Sequence, residues 1–164
     1  MHTEKKVYPA VWLLFILYVA VMLWLLFGRT PVTVSGTYWQ QICDHINLIP
    51  FRTILAYVRR LGEEAGRYGL SASEINLYGN VLVFVPCGFF LPALFLRLQS
   101  FRRYLLCFSL GLVAVEVAQL FTLRGICDID DLILNVVGAA LGYGAFRAAK
   151  AIGAAVRAGR RRRL

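Results

Sequence analysis

Charged side chains are scarce in this chain, and histidines are scarcer still. Only 16% of its 164 residues are charged, two are histidine, and 59% are hydrophobic. A soluble domain of this size would not be so apolar. The sequence also lacks a nucleophile elbow, a P-loop and a histidine-rich metal motif. These absences exclude a soluble domain and leave the enzyme classes that use those motifs without support.

What the sequence has instead is long apolar segments. A helix needs roughly 20 mostly apolar residues to cross about 30 Å of hydrocarbon. Four segments qualify, at about residues 8–27, 75–96, 104–122 and 132–149. The sequence therefore predicts an all-α integral membrane protein built as a bundle of four transmembrane helices. We expect one membrane domain at residues 1–150, followed by a polybasic tail at residues 151–164.

The distribution of lysine and arginine predicts the orientation of the bundle. Cytoplasmic loops carry the excess of these residues. With the N-terminus inside, the interior segments hold Lys5, Lys6, Arg97, Arg102, Arg103, Arg147, Lys150, Arg157 and Arg160 through Arg163. The exterior then holds six arginines over a longer length, in a long loop at residues 28–73 and a short one before the fourth span. We therefore expect both ends in the cytoplasm.

An amphipathic helix is predicted within the long external loop. Phe51, Ile54, Leu55 and Val58 recur at helical spacing, whereas Arg52, Arg59 and Arg60 occupy the other face. Such a helix either lies on the outer membrane surface or packs as a lid over the bundle. Both interpretations remain open at the sequence level.

Polar residues within the spans fall near one face of the predicted membrane. They are Asn80, Glu116, Gln119, Asp130, Asp131 and Asn135. Polar groups at such depth are costly and usually functional. Glu116 lies about six residues below the outer end of its helix, near 9 Å at 1.5 Å per residue. The shared level predicts a cavity walled by the second, third and fourth spans, although bonds between helices would also account for such residues.

The loop before the fourth span is rich in acids. Asp128, Asp130 and Asp131 follow Arg124 there. Acids at a helix start can cap amide groups, and clustered carboxylates can hold Mg²⁺ or Ca²⁺. The interpretation we favour is ion pairing with Arg124 and Arg52, and we expect no metal or cofactor.

Three further features have structural interpretations. Cys43 and Cys127 are both external, so a disulfide is conceivable. Gly138, Gly142 and Gly144 permit close helix packing, within the bundle or in a homodimer. The arginine-rich tail is typical of contact with anionic lipid. Nucleic-acid binding is not expected, because no aromatic residues are interleaved with the basic ones.

Several runs of residues resemble the VanZ-like membrane protein family between about Asn47 and Tyr143. They are Asn47-Leu-Ile-Pro50-Phe51, Gly79-Asn80, Phe84-Val-Pro86-Cys-Gly88, Glu116-Val-Ala-Gln119, and Arg124 through Asp128 with Asp130, Asp131, Asn135 and Gly138. The last run is the most specific. One departure is Leu112, where the family often has a serine one turn before its glutamate.

The resemblance implies a small multi-span protein of the bacterial cytoplasmic membrane. The family's named member is associated with low-level resistance to teicoplanin, a lipid-tailed glycopeptide. No accepted reaction or catalytic residue accompanies the family.

Together these observations predict a protein that binds an amphiphilic cell-envelope molecule in a polar pocket open to the outer leaflet. The expected ligand-binding residues are Asn80, Glu116, Gln119, Arg124, Asp128, Asp130, Asp131, Asn135 and Arg52. One alternative is an intramembrane enzyme that uses Glu116 or the three aspartates as acid or base. Another is a structural partner of envelope machinery.

Overall fold

The computed structural model describes residues 9–28, 36–64 and 72–161. Its helices are α1 (Pro9–Phe27), α2 (Tyr38–Asp44), α3 (Arg52–Glu64), α4 (Ala72–Leu94), a short 3₁₀ helix (Leu96–Gln99), α5 (Phe101–Phe121) and α6 (Ile129–Arg161). Two short strands, β1 (Ile46–Asn47) and β2 (Cys127–Asp128), complete the described fold. The predicted all-α architecture is confirmed.

Four of these helices are long and apolar enough to cross a membrane: α1, α4, α5 and α6. They confirm the predicted spans, with starts and ends shifted by up to three residues, except at the end of α6. That helix runs for 33 residues through the basic tail to Arg161. Its length of about 50 Å exceeds the hydrocarbon thickness. Residue 150 therefore does not mark a break in the helix.

The bundle is held together most closely where α4 crosses α6. A side chain at Gly138 would collide with the backbone carbonyl of Val81, and one at Gly142 with that of Val85. Gly88 of α4 lies equally close to the backbone of Ala139. Small residues let helix backbones approach this far in a membrane, where no hydrophobic effect drives helices together.

Helix α5 packs through one buried stripe with a four-residue repeat: Tyr104, Phe108, Leu112, Glu116 and Leu120. The Tyr104 ring stacks on Tyr143 with the centroids 5.1 Å apart, and its hydroxyl donates to the Ala139 carbonyl at 3.2 Å. Because α5 and α6 run antiparallel, this contact near the start of α5 brings Glu116 level with the first turns of α6.

Helix α1 contacts the rest of the bundle less extensively. The Tyr18 hydroxyl donates to the Val83 carbonyl at 2.9 Å, and the Trp12 ring meets Phe95 edge-on. Most of its large apolar side chains are exposed, which suits a helix surrounded by lipid.

One end of the bundle is covered by residues 36–64 and 122–128, which we call the cap. Strands β1 and β2 pair in parallel there, with Ile46 opposite Cys127 and Asn47 opposite Asp128. The Tyr38 hydroxyl donates to the Phe121 carbonyl at 2.8 Å, which joins α2 to the end of α5. Neither α2 nor the strand pair was predicted. Helix α3 packs against α4 and α6, as the lid interpretation requires.

Candidate functional site

Asp130 joins the first turn of α6 to the first turn of α3. Its side chain is fully buried. One carboxylate oxygen accepts the backbone N–H of Phe51 at 2.5 Å, and the other accepts those of Thr53 at 2.7 Å and Ile54 at 3.1 Å. An acid beside a helix N-terminus satisfies its free amides and suits its dipole. Asp130 therefore caps α3 rather than its own helix.

Asp128 caps α6 and ties it to β1 and α3. One of its oxygens accepts the backbone N–H of Asp130 at 2.9 Å. The other accepts the Thr53 hydroxyl at 2.6 Å and the Asn47 amide at 3.1 Å. Asn47 and Thr53 were not among the predicted site residues. Asn47 lies in a run that carries the family resemblance, which was a usable signal, whereas nothing local distinguished Thr53.

The favoured ion pairs between these acids and arginine stay a prediction. Arg124 donates to the Phe27 carbonyl, and Arg52 is exposed. Residues 9–28, 36–64 and 72–161 contain no group of three side chains placed to hold a metal ion. Protein amides and a hydroxyl already occupy oxygens of Asp128 and Asp130.

Gln119 and Arg124 hold the end of α1. The Gln119 amide donates to the Leu26 carbonyl at 2.8 Å, and Arg124 donates to the next carbonyl, that of Phe27. These are carbonyls of the last turn of a helix, which have no partner within the helix itself. Both residues were predicted to contact ligand, and any such contact would compete with these bonds.

The remaining predicted residues come together beneath the cap. The Asn80 amide of α4 donates to Asp131 of α6 at 2.5 Å. The Glu116 carboxyl of α5 lies within electrostatic range of Asp131 and Asp128. Asn135 follows Asp131 by one turn of α6 and is buried. We call this group, Asn80, Glu116, Asp128, Asp131 and Asn135, the polar layer.

The polar layer contains acceptors without protein donors. The side-chain oxygen of Asn135 is buried and has no hydrogen-bond partner, and neither has that of Asn47 nearby in the cap. Among the described residues, none donates to the Glu116 carboxyl, although Glu116 is only 8% exposed. Buried Leu112 stands one turn below it, so the position where the family often has serine supplies no hydroxyl. Leaving a buried amide oxygen unpaired, as at Asn135 and Asn47, costs about 1–3 kcal/mol each.

The two cap cysteines are free thiols in the structure, and Cys43 is exposed. Cys127 is partly buried at the edge of the polar layer. Burial raises the pKa of its thiol, and the charges of Glu116 and Asp128 raise this pKa further. Cys127 meets His45 through the backbone, its N–H donating to the His45 carbonyl at 2.8 Å. A raised pKa opposes the thiolate that a nucleophilic cysteine needs.

Comparison with known protein families supports the resemblance that the sequence motifs indicate. A family model described as VanZ/LLP1 matches residues 15–150, which include most of α1, all of α2 through α5, most of α6 and the whole polar layer. No curated protein and no solved structure shows significant similarity to the chain. With the family model covering most of its length, the chain belongs to the VanZ/LLP1 family.

Proposed function

We propose that the polar layer binds the polar head of an amphiphilic cell-envelope molecule in the bacterial cytoplasmic membrane. The ligand would be a lipid-linked cell-wall intermediate or a lipid-tailed glycopeptide such as teicoplanin. The observation that carries this proposal is the pair of buried amide oxygens without donors, at Asn135 and Asn47, close to the Glu116 carboxyl. Unpaired buried groups in a native protein call for an explanation, and a bound donor supplies one.

The chemistry of the layer favours one kind of head group. Carboxylates and amide oxygens accept hydrogen bonds, so they suit hydroxyl or ammonium groups rather than a bare phosphate. Sugar and amino groups of an envelope glycolipid or a glycopeptide provide such donors. A phosphate, if present, would lie farther out, where the exposed Arg52 begins α3.

The apolar surroundings suit a lipid tail. Below Glu116 the same stripe of α5 continues as Leu112 and Phe108, both in the hydrophobic core. A head group held at the polar layer would therefore extend its tail sideways, into the surrounding lipid. Retention of a lipid-tailed glycopeptide in this way is how the protein would contribute to resistance.

The basic end of α6 is proposed to contact anionic lipid. Arg157, Arg160 and Arg161 are exposed on the part of α6 that exceeds the hydrocarbon thickness. Each basic residue near an anionic leaflet contributes about 1 kcal/mol. This contact would anchor the cytoplasmic end of the helix and is separate from the polar layer.

Ligand-dependent stability tests the binding proposal. Purified protein is unfolded thermally in detergent, alone and with teicoplanin or a lipid-linked cell-wall precursor. A ligand present at 100 times its dissociation constant adds about 2.7 kcal/mol to stability, so the wild type should unfold at a higher temperature. Glu116→Gln should lose this gain, while Asp44→Asn, which alters an exposed acid of α2, should keep it. Equal gains in all three proteins would defeat the proposal.

An intramembrane enzyme that modifies such a lipid is the second candidate. It is favoured by one observation, the grouping of Glu116 with Asp128 and Asp131, because neighbouring carboxyls can divide acid and base roles. Conversion of the bound lipid by purified protein, abolished in Glu116→Gln, would support it. Binding without conversion would support the first candidate.

A further inference from the structure

Helix α3 has an apolar stripe that the bundle does not cover. Phe51, Leu55 and Val58 follow one another at helical spacing and are 54%, 51% and 49% exposed. The loop that leads into the helix adds Leu48 and Ile49, which are 63% and 58% exposed. A contiguous exposed apolar surface of this kind marks an interaction site.

This stripe is separate from the face that packs on the bundle. Thr53 and Tyr57 face inward, since the Thr53 hydroxyl donates to Asp128 and the Tyr57 hydroxyl accepts from Asn76. At 100° per residue, Leu55 lies about 160° around the helix axis from both Thr53 and Tyr57. The lid interpretation therefore accounts for only one face of α3.

The position of the stripe along the bundle indicates what would cover it. Phe51 is bonded to Asp130 in the first turn of α6, and Tyr57 is bonded to Asn76 in the second turn of α4. Both contacts lie where membrane-crossing helices begin. Lipid head groups meet the acyl chains near the ends of membrane-crossing helices, so an outward-facing apolar stripe at that height would meet lipid rather than water.

Charge and aromatic residues complete the match to a lipid interface. Arg52 and Arg59 are exposed and flank the stripe on the side away from the bundle, where their guanidinium groups can reach lipid phosphates. On the other side of the cap, Tyr38 and Trp39 of α2 are exposed, and Tyr38 is bonded to the end of α5. Tyrosine and tryptophan are enriched at this level of membrane proteins.

We propose that α3 and the loop before it dock on the bilayer leaflet at the capped end of the bundle. The stripe Leu48, Ile49, Phe51, Leu55 and Val58 enters the boundary between head groups and acyl chains, and Arg52 and Arg59 bind lipid phosphates. The inward face of α3 stays bonded to α4 and α6. Helix α3 is thus fixed by protein on one side and by lipid on the other.

Quenching of tryptophan fluorescence by brominated lipid tests this geometry. In a background where Trp12, Trp24 and Trp39 are phenylalanine, Leu55→Trp and Ala56→Trp place single tryptophans on neighbouring residues of α3. Position 55 lies on the stripe, whereas Ala56 is exposed on the polar side of the same helix. Each full-length protein is reconstituted in phosphatidylcholine brominated at successive depths along the chain, and circular dichroism checks that both fold.

The expected result is a large loss of fluorescence at position 55 and a small one at position 56. Quenching at position 55 should be strongest for shallow bromines, about 5–10 Å into the boundary region. Equal weak quenching at both positions would show that α3 faces water or another protein, and would overturn the proposal. Equal strong quenching would also overturn it, because the helix would then be surrounded by lipid.

If the tryptophan-free protein does not fold, a second measurement tests the same proposal. Leu55→Gln and Ala56→Gln are made in the otherwise native chain, and the intact protein is assayed for stability in phosphatidylcholine vesicles and in detergent. The proposal expects Leu55→Gln to lose more stability than Ala56→Gln in vesicles. Equal losses for the two variants would contradict it.

Discussion

The carboxylate of Asp130 accepts a 2.7 Å hydrogen bond from the backbone N–H of Thr53, a residue 77 positions earlier in the chain. This bond, with those to Phe51 and Ile54, fastens the cap onto the start of a membrane-spanning helix. Asp128 caps the first turn of the same helix by accepting the backbone N–H of Asp130. Asp128 and Asp130 thus hold the cap on the bundle, and Asp131 is bonded to Asn80 of α4 within the polar layer.

Replacing Asp130 by asparagine should destabilise the protein. Asparagine has one acceptor oxygen in place of two and adds an N–H₂ group that faces the amides of α3. We expect a loss of about 2–3 kcal/mol, the range for buried bonds to a charged cap. The measurement is the free energy of unfolding in detergent.

The matched control for that variant is Asp44→Asn in α2. Asp44 is exposed, so its substitution should change stability by no more than about 0.5 kcal/mol. A loss for Asp130→Asn as small as that of the control would show that the bonds to α3 contribute little.

The contact between α4 and α6 predicts opposite effects at two nearby glycines. A Cβ at Gly142 collides with the Val85 carbonyl, whereas one at Gly144 meets nothing within 4 Å. Gly142→Ala should therefore lose about 1–3 kcal/mol through forced separation of the helices. Gly144→Ala should be neutral or gain up to about 1 kcal/mol, because alanine favours a helix. Unfolding of the two variants side by side checks this, and equal effects would argue against the close crossing.

The spans were predictable because each depends on local composition. A run of about 20 apolar residues identifies a membrane helix whatever it packs against. The end of α6 could not be predicted from apolar composition. Apolar composition marks where the hydrocarbon stops, but Arg147, Lys150 and Arg157 are good helix formers, so the helix continues beyond it.

The site was only partly predictable, because its bonds join residues far apart in sequence. The common level of Asn80, Glu116 and Asn135 was predicted by counting residues along each span. The partners of Asp130 did not, since no local pattern indicates that an acid at residue 130 caps a helix beginning at Arg52. The same holds for Gln119, whose bond goes to the end of α1, 93 residues earlier.

Asn135→Leu should separate ligand binding from stability. The Asn135 oxygen is buried without a partner, so an apolar side chain of similar size removes an unpaired group. In protein stripped of lipid, we expect stability unchanged or raised by about 1 kcal/mol. Stabilisation by added ligand should fall at the same time. A large loss of stability in the stripped variant would instead indicate that Asn135 is needed to hold the helices together.

The reactivity of Cys127 should depend on Glu116. Burial and the neighbouring acids raise the pKa of the Cys127 thiol, so less thiolate is present at a given pH. Its reaction with maleimide near neutral pH should be slower than that of exposed Cys43. Glu116→Gln removes one negative charge, which lowers the Cys127 pKa and should speed its reaction while leaving Cys43 unchanged. Peptide mass spectrometry measures both rates. An unchanged Cys127 rate would show that the Glu116 carboxylate does not act on the Cys127 thiol.

The raised pKa of the Cys127 thiol makes the free energy of unfolding depend on pH. The folded protein holds the Cys127 proton more tightly than the unfolded chain does, so the stability from this group is complete below the ordinary thiol pKa of about 8.5. It is lost as the pH rises above that value. Cys127→Ser should reduce the fall in stability at alkaline pH, as unfolding curves over that range would show.

The central claim is that the polar layer holds an envelope molecule, and Glu116 tests it most directly. The measurement is native mass spectrometry of protein purified from its own membranes, comparing the wild type with Glu116→Gln and Asp44→Asn. We expect a defined added mass of lipid on the wild type and on Asp44→Asn, and its loss in Glu116→Gln. The same mass retained on all three proteins, or on none of them, would contradict the claim.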